Sequence, residues 1–396
     1  MKLRWYIAAL LFSATVINYI DRQALSVLAP VITKELGLSD VEYSNILQVF
    51  LIAYTLMYVG SGVLVDRWGT KLSLAVFMVW WSASNALHGF ARTGMQLGFF
   101  RFLLGIGEPG NFMAAFRAIS EWFPPGERAF VNGLVNAGAA VGAIVAAPLV
   151  SVIALHFGWR SAFVITGTLG FVWLAVWLWV YRLPAAAAAT PIKTEKIPWS
   201  HLLRYRRTWG LMLARFVSDP VWWFYLFWLP KYLSDVHGFT LAHIGALAWL
   251  PYLAADIGAI SGGALSGYLI RRGWTVLGAR AGGMWPFAAV MPVSLLLPFT
   301  HSAPLAIVII CVVAFSHMAW RTNLSTCTND LYTPSIVGSA AGLLAFGSGL
   351  GGTLFTSLTG HIVQNFSYGA VFVIMGFLHP LAFLIFRLLV RAPEET

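Results

Sequence analysis

Long apolar stretches alternate with short polar turns along the whole chain, and this pattern predicts a bundle of membrane-spanning helices. Each stretch is longer than about 18 residues, enough for a helix to cross a hydrocarbon core of roughly 30 Å. Backbone amides in lipid must find partners within their own segment, so the stretches are predicted to be helices. Twelve spans are predicted, at 5–32, 43–65, 71–90, 95–121, 128–155, 160–182, 209–234, 243–270, 278–299, 303–328, 336–364 and 369–391.

Composition strengthens this interpretation. Apolar residues make up 59% of the 396 positions and charged residues only 10%, whereas a soluble domain carries about 25% charged residues. The net charge of +10 does not indicate a nucleic-acid partner, because the basic residues cluster at the ends of the predicted spans. The expected partners are a lipid bilayer and a small solute, and a monomer is expected.

The basic residues also predict an orientation. Sixteen of the 25 Lys and Arg residues lie in turns on one side of the predicted bundle, four lie on the other side, and five lie within spans. The positive-inside rule then places both termini in the cytoplasm of a bacterial-type inner membrane. The segment 183–207, which is rich in Pro, Ala and basic residues, is predicted to be a cytoplasmic linker between bundles at 1–182 and 208–396.

The two halves of the chain repeat each other. At an ungapped offset of 209 residues, nine positions across predicted spans 5–6 and 11–12 are identical, among them Gly138 and Gly142, which match Gly347 and Gly351. This match predicts a duplicated bundle, an arrangement by which transporters place a site at a pseudo-symmetry axis. Two apolar segments of similar composition are the alternative explanation.

A loop between predicted spans 2 and 3 carries a recognisable signature. It reads Gly62-Val-Leu-Val-Asp66-Arg67-Trp-Gly69-Thr-Lys71 and resembles the loop motif of the major facilitator superfamily. A degenerate copy, Gly267-Tyr-Leu-Ile-Arg271-Arg272-Gly273, lies between spans 8 and 9. The resemblance implies an all-α polytopic membrane protein with twelve transmembrane helices in two pseudo-symmetric six-helix bundles. It assigns Gly62, Asp66, Arg67 and Gly69 to gating and structure.

Two further stretches are similar to the anion:cation symporter family within that superfamily. They are Asn18-Tyr19-Ile20-Asp21-Arg22 and Arg101-Phe-Leu-Leu-Gly105-Ile-Gly107-Glu108-Pro-Gly-Asn111. The stretch from Asp219 to Pro230 resembles the hexuronate branch. Ala139 and Ala345 stand where galactonate-type relatives carry Gln and Asn, so two polar sugar contacts of those relatives are missing here.

Ionisable residues inside spans are costly in lipid, so they are expected to face partners or water. Arg22 is the predicted substrate residue, because a planar guanidinium matches a carboxylate in bidentate geometry. A permanent pair of Arg22 with Asp21 or Glu108 is the alternative.

Glu108 is the predicted proton carrier. It lies seven residues after Arg101, two turns along one helix face, so each side chain is expected to reach another helix. The family resemblance implies that span 1 is the nearest. A static pair that holds spans 1 and 4 together is the alternative for Glu108. Asp21 is a second proton candidate, or a residue that locks a gate.

The predicted sugar contacts are Tyr19 and Tyr54 in the first half and Trp320 and Asn323 in the second. Their rings and polar groups suit a pyranose. Tyr54 could equally be a core tyrosine and Trp320 a residue of a helix interface.

Other functional classes find little support. The nine histidines show no metal-ligand spacing, and the chain contains no phosphate-binding loop or nucleophile motif. No metal, catalytic residue or cofactor is predicted. Protons are predicted to be the ions coupled to transport. The predicted function is proton-coupled import of organic anions, most specifically hexuronates or related sugar acids. An exporter or facilitator of other anions on the same fold is the alternative; a membrane-embedded enzyme or a receptor fits the sequence less well.

Overall fold

The computed structural model describes residues 2–182, 199–332 and 337–390, and all regular structure within these ranges is helical. Residues 183–198 of the predicted linker lie outside the described residues, and the rest of it contains the short helix Trp199–Leu202 and the start of helix Arg206–Ser218. The helices are α1 Lys2–Leu36, α2 Asp40–His88, α3 Gly94–Gly107, α4 Pro109–Trp122, α5 Pro125–Phe157, α6 Trp159–Val180, α7 Trp199–Leu202, α8 Arg206–Ser218, α9 Pro220–His237, α10 Leu241–Leu247, α11 Leu250–Arg271, α12 Val276–Val290, a 3-10 helix Met291–Phe299, α13 Ala303–Leu331, α14 Val337–Asn365 and α15 Tyr368–Leu389.

Each of the twelve predicted spans coincides with helical segments of the structure. Helix α2 contains spans 2 and 3: its 49 residues would reach about 74 Å as a straight helix, more than twice a hydrocarbon core. The chain instead turns at Gly69, whose φ of 77° is a conformation that glycine adopts readily.

Length and hydropathy identify the same elements. Among the described residues, eight helical segments are long and apolar enough to cross a membrane. Within α2, the parts Asp40–Tyr58 and Gly60–His88, bent by 56° relative to each other, add a ninth as a pair. The fold is that of an all-α polytopic membrane protein, as predicted.

Two predicted spans are interrupted where a carboxylate precedes a proline. Span 4 divides into α3 and α4 at Glu108, before Pro109, and span 7 divides into α8 and α9 at Asp219, before Pro220. Proline has no N–H to donate to the preceding turn, so the helix ladder is broken there. Both breaks place an acidic side chain in the middle of a predicted span.

The described chain divides into two compact units. The first contains the described residues up to 182 together with Phe227–Trp249; the second contains 199–226 and the described residues from Leu250 onward. The division into bundles at 1–182 and 208–396 stays a prediction.

The sequence repeat corresponds to repeated packing. A Cβ atom built on Gly138 or Gly142 of α5 would lie 2.6 Å from the carbonyl oxygen of Phe12 or Val16, respectively, on α1. In the second unit, Gly347 and Gly351 of α14 make the same close approaches to the carbonyls of Met212 and Phe216 on α8. Small residues allow helix backbones in a membrane to come this close.

Candidate functional site

A buried ion pair joins α1 to the break between α3 and α4. The Nε atom of Arg22 donates to Oε2 of Glu108 at 2.7 Å, and its Nη2 atom lies 2.6 Å from the same oxygen. The side chains are 2% and 0% exposed, so water screens the pair very little. Removing one partner of such a pair costs about 3–5 kcal/mol, because the other charge remains buried and uncompensated.

Aromatic rings enclose the guanidinium group of Arg22. Its Cζ atom lies 4.5 Å from the ring centroid of Tyr19 and 4.6 Å from that of Tyr54, both within cation–π range. Its Nη2 atom also donates to Oδ1 of Asn18 at 3.3 Å. The structure therefore brings Tyr19, Arg22, Tyr54 and Glu108 together, and only the tertiary fold could bring α2 to this point.

Arg101 reaches the same region from α3 but does not take the carboxylate of Glu108 as a hydrogen-bond partner. Its Nη2 atom donates to the backbone carbonyl of Arg22 at 2.8 Å, and its guanidinium lies 4.5 Å from the ring centroid of Phe50. The Nε and Nη1 atoms have no hydrogen-bond partner among the described residues. Arg101 and Glu108 both contact Arg22 of α1. Their spacing predicted that each would reach another helix, and the family resemblance implied that this helix is span 1.

Asp21 points to a different set of helices from its neighbour Arg22. Its Oδ1 atom accepts a hydrogen bond of 2.7 Å from Nδ2 of Asn85 on α2, and Asn85 also donates to Oγ1 of Thr166 on α6 at 2.8 Å. All three residues are fully buried. Neither Asn85 nor Thr166 was among the predicted site residues, chiefly because neither side chain is ionisable. The signal available in the sequence was the amide of Asn85 in the middle of an apolar span.

The charges of Asp21, Arg22, Arg101 and Glu108 suggest how an anion and a proton could bind here together. When all are ionised, the two arginines and two carboxylates form an electrically balanced group. An organic carboxylate that entered would compete with Glu108 for Arg22 and would leave one excess negative charge. Protonation of Glu108 or Asp21 would restore the balance at low energetic cost, since neutral carboxyls are cheaper to bury than charged ones.

The loop signature forms its own network around the turn of α2 at Gly69. Asp66 lies 3.7 Å from Nη1 of Arg117 on α4, and Arg117 also donates to the carbonyl of Val65 at 2.7 Å and to Glu121 at 2.9 Å. Gly62 is half-buried, Arg67 is exposed, and Gly69 makes the turn described above. These contacts tie the turn after span 2 to the end of span 4.

Trp320 and Asn323, the predicted sugar contacts of the second half, lie on α13 in the second unit. Both are fully buried. The indole of Trp320 donates to Oγ of Ser218 at 3.1 Å, and the amide of Asn323 donates to the carbonyls of Gly262 and Ala319 at 2.9 and 3.1 Å. Contact of these two residues with a sugar stays a prediction.

Two bacterial transporters are similar to this chain over most of its length. The hexuronate transporter of Escherichia coli (strain K12) is 31% identical over 391 residues, which include 94% of this chain and 90% of that protein. The galacturonate transporter of Dickeya chrysanthemi is 33% identical over 278 residues, covering 66% of this chain and 81% of its own.

A solved structure shares the fold. The crystal structure of a bacterial homolog to the human lysosomal transporter Spinster superposes with a TM-score of 0.78 and covers 98% of this chain and 95% of its own, at 19% sequence identity.

The sequence profile of the Major Facilitator Superfamily matches residues 11–355, which span the ion pair, the loop signature and most of both units. The predicted fold class is confirmed by this match together with the shared fold. The chain therefore belongs to the Major Facilitator Superfamily, as a membrane transporter and not an enzyme.

Proposed function

We propose that this transporter imports hexuronates or closely related sugar acids together with protons, by alternating access. The observation that supports this most directly is the buried Arg22–Glu108 pair, flanked by the rings of Tyr19 and Tyr54. The site offers a guanidinium for a carboxylate and aromatic faces for the apolar side of a sugar ring.

Electrostatics supports coupling of the anion to a proton. A substrate carboxylate can form its bidentate contact with Arg22 only if Glu108 gives up that partner. An ionised Glu108 left without Arg22 would be a desolvated charge, whereas a protonated one would be a neutral hydrogen-bonding group. Binding of the anion and binding of the proton are therefore expected to favour each other, as linked equilibria must.

The substrate class rests on the relatives and on one local difference. The relatives named above transport hexuronates and galacturonate by their names, and others are named for galactonate and for galactarate/D-glucarate. The half-buried Ala139 and Ala345 offer no hydrogen bond to a sugar hydroxyl. This absence favours a hexuronate over galactonate.

Inward movement would use the proton gradient of a bacterial-type inner membrane. If more than one proton accompanies each anion, net positive charge moves inward, and the membrane potential contributes about 2.3 kcal/mol per charge per 100 mV. The excess of basic residues in the turns on one side supports cytoplasmic placement of both termini.

A two-stage experiment tests this function. Purified protein is first screened by thermal shift with galacturonate, glucuronate and galactonate, with neutral galactose as the matched control. The stabilising acids are then tested for uptake into proteoliposomes with a proton gradient imposed inward, and with the same gradient imposed outward.

The expected result is stabilisation by a hexuronate but not by galactose, and accumulation only under the inward proton gradient. Uptake that does not depend on the direction of the proton gradient would indicate a facilitator instead of a symporter. Accumulation under the outward gradient alone would instead support the exporter alternative.

A further inference from the structure

Two histidines that lie 62 residues apart in sequence meet inside the second unit. The Nδ1 atom of His317 on α13 is 3.1 Å from the Nε2 atom of His379 on α15. Both side chains are fully buried. Neither residue lies near the other in sequence, so no local motif could have revealed the pair.

The pair can accept a proton in either of its neutral forms. If His317 donates through Nδ1, its own Nε2 carries a bare lone pair; if His379 donates through Nε2, its own Nδ1 carries one. These two outer nitrogens are buried and have no hydrogen-bond partner among the described residues. A purely structural pair would leave polar atoms unsatisfied at a cost of about 1–3 kcal/mol each, and a role in binding a proton is one explanation for such atoms.

Charged and aromatic groups surround the pair on each neighbouring helix. Trp222 of α9 stacks on His317, with ring centroids 5.8 Å apart and planes 5° apart, and Trp320 meets His379 edge-on at 5.7 Å. Asp219, at the break before α9, and Arg321, on α13 itself, also act electrostatically on His317.

One carboxylate and two guanidinium groups act on His317, those of Asp219, Arg215 and Arg321. Asp219 accepts a 2.7 Å hydrogen bond from Arg215, whose Nη1 atom also donates to Ser325. Asp219 carries a negative charge and the two arginines carry positive charges, so they act in opposite senses on a proton held by His317. The phenol of Tyr252 on α11 also lies near the stack and meets Trp222 edge-on.

The repeat makes His317 the counterpart of Glu108. Helix α4 ends at Trp122 and α13 at Leu331, and α6 begins at Trp159 and α15 at Tyr368; both separations equal the 209-residue offset of the repeat. Under that offset Glu108 corresponds to His317.

The same comparison pairs the helices that these residues contact. Gly142 approaches the carbonyl of Val16 in the first unit, and its counterpart Gly351 approaches that of Phe216 in the second. Val16 and Phe216 are 200 residues apart, and the same offset of 200 makes Trp222 the counterpart of Arg22. The contact of Arg22 with Glu108 in one unit therefore has its equivalent in the stack of Trp222 on His317 in the other.

From this correspondence and the unsatisfied outer nitrogens, we propose that His317 and His379 form a second proton-binding site, which carries one proton inward with each anion in addition to any carried by the carboxyl groups of the first unit. The proton forms an N–H bond at the bare outer nitrogen in the outward-open state, and that same N–H bond breaks when the proton leaves in the inward-open state. If the proton leaves instead from the outer nitrogen of the other ring, the proton shared between the rings moves from Nδ1 of His317 to Nε2 of His379, or the reverse, and both rings are again neutral. The proposal rests on the proton coupling proposed above.

The test removes both titratable rings while it keeps the contact between α13 and α15. In the double variant His317→Asn with His379→Gln, the amides stand near the former Nδ1 and Nε2 atoms and can hydrogen-bond to each other. The matched control is His361→Asn, which replaces an exposed histidine of the same unit.

Wild-type and variant proteins are compared in proteoliposomes with an inward gradient of one pH unit. Equal potassium on both sides with valinomycin holds the membrane potential at zero, and the steady-state accumulation ratio of the sugar acid is measured. Each coupled proton multiplies that ratio by about tenfold. The double variant is expected to retain counterflow but to accumulate about tenfold less than the wild type and the control.

An unchanged accumulation ratio in the double variant would overturn the proposal, and so would loss of counterflow, which would indicate a structural pair. Failure of the wild type to accumulate any sugar acid would instead count against the proposed function.

A second measurement does not depend on transport. In wild-type protein labelled with ¹⁵N-histidine, and with signals assigned by the single substitutions, one ring of the pair should become doubly protonated between pH 8 and pH 5. Rings that stay neutral throughout that range would refute the second site.

Discussion

At the scale of single residues, the position of Arg22 has the clearest consequences. It is shared between Glu108, Asn18 and two tyrosine rings, a geometry that depends on the planar fork of a guanidinium. An ammonium group can compensate the charge but cannot make two parallel bonds to one carboxylate. Charge and shape can therefore be tested separately at this position.

Arg22→Lys is expected to weaken binding of a hexuronate about tenfold or more, since one hydrogen bond to a charged group contributes about 1.5–3 kcal/mol. Isothermal titration of purified protein measures the change. Arg92→Lys, at an exposed arginine before α3, is the matched control and should bind as the wild type does. Equal affinities for all three proteins would remove Arg22 from the substrate site.

Glu108→Gln is expected to separate binding from coupling. The amide resembles the protonated carboxyl in shape, so the variant should exchange substrate between the two sides of a liposome. With a gradient of one pH unit it should accumulate substrate about tenfold less than the wild type, because the proton of Glu108 no longer accompanies the anion. Glu35→Gln, at a carboxylate paired with Arg160 near the start of α6, is the matched control and should still accumulate substrate.

Two outcomes would reassign Glu108. If Glu108→Gln accumulates substrate to the same ratio as the wild type, the coupling proton of the first unit lies elsewhere, and Asp21 with its partner Asn85 becomes the first candidate. If counterflow is lost together with accumulation, the pair of Glu108 with Arg22 is a static contact between helices.

At the scale of elements, the close packing of α5 on α1 positions the aromatic part of the site. Gly142 lies against the carbonyl of Val16, and a Cβ atom there would also come within 2.7 Å of the Cβ atom of Tyr19. Any side chain at this position must push the two helices apart and move the ring that covers Arg22.

Gly142→Ala is therefore expected to lower both thermal stability and affinity for substrate, with a loss of about 1–3 kcal/mol, typical of overpacked interiors. Gly133→Ala in the same helix is the matched control, because a Cβ atom built on Gly133 meets no atom within 4 Å. Melting temperatures and titrations of the two variants measure the difference. A melting temperature for Gly142→Ala equal to that of the control would show that α5 can shift without cost.

At the scale of the whole molecule, the distribution of basic residues predicts the orientation in the membrane. Sixteen basic residues lie in turns on one side and four on the other, and the positive-inside rule then places residues 183–207 in the cytoplasm. The rule depends only on which turns carry the charges.

Cysteine labelling in intact cells measures this orientation. In a background with Cys311→Ser and Cys327→Ser, a cysteine introduced by Ala187→Cys should resist an impermeant thiol reagent until the cells are lysed. Ser302→Cys, at an exposed residue before α13, is the control and should react from outside. Labelling of the first variant in intact cells would invert the predicted topology.

Much of this protein could be predicted from local properties of its sequence. Hydropathy over some twenty residues decides whether a segment enters lipid, and backbone hydrogen bonding then requires a helix; each of the twelve predicted spans accordingly meets helix in the structure. The charged residues inside spans were also identifiable, because each one is an exception to an apolar pattern. The repeat at an offset of 209 was visible as well, since both copies keep the glycines that close packing needs.

The tertiary structure alone decided the partners. Helical periodicity shows that Arg101 and Glu108 share a face, but not which neighbouring side chain each one reaches. The fold pairs Glu108 with the guanidinium of Arg22 and directs Arg101 to the backbone of that residue. It likewise brought His317 to His379 across 62 residues. Such contacts depend on how helices pack against each other, a property of the whole bundle and not of any single segment.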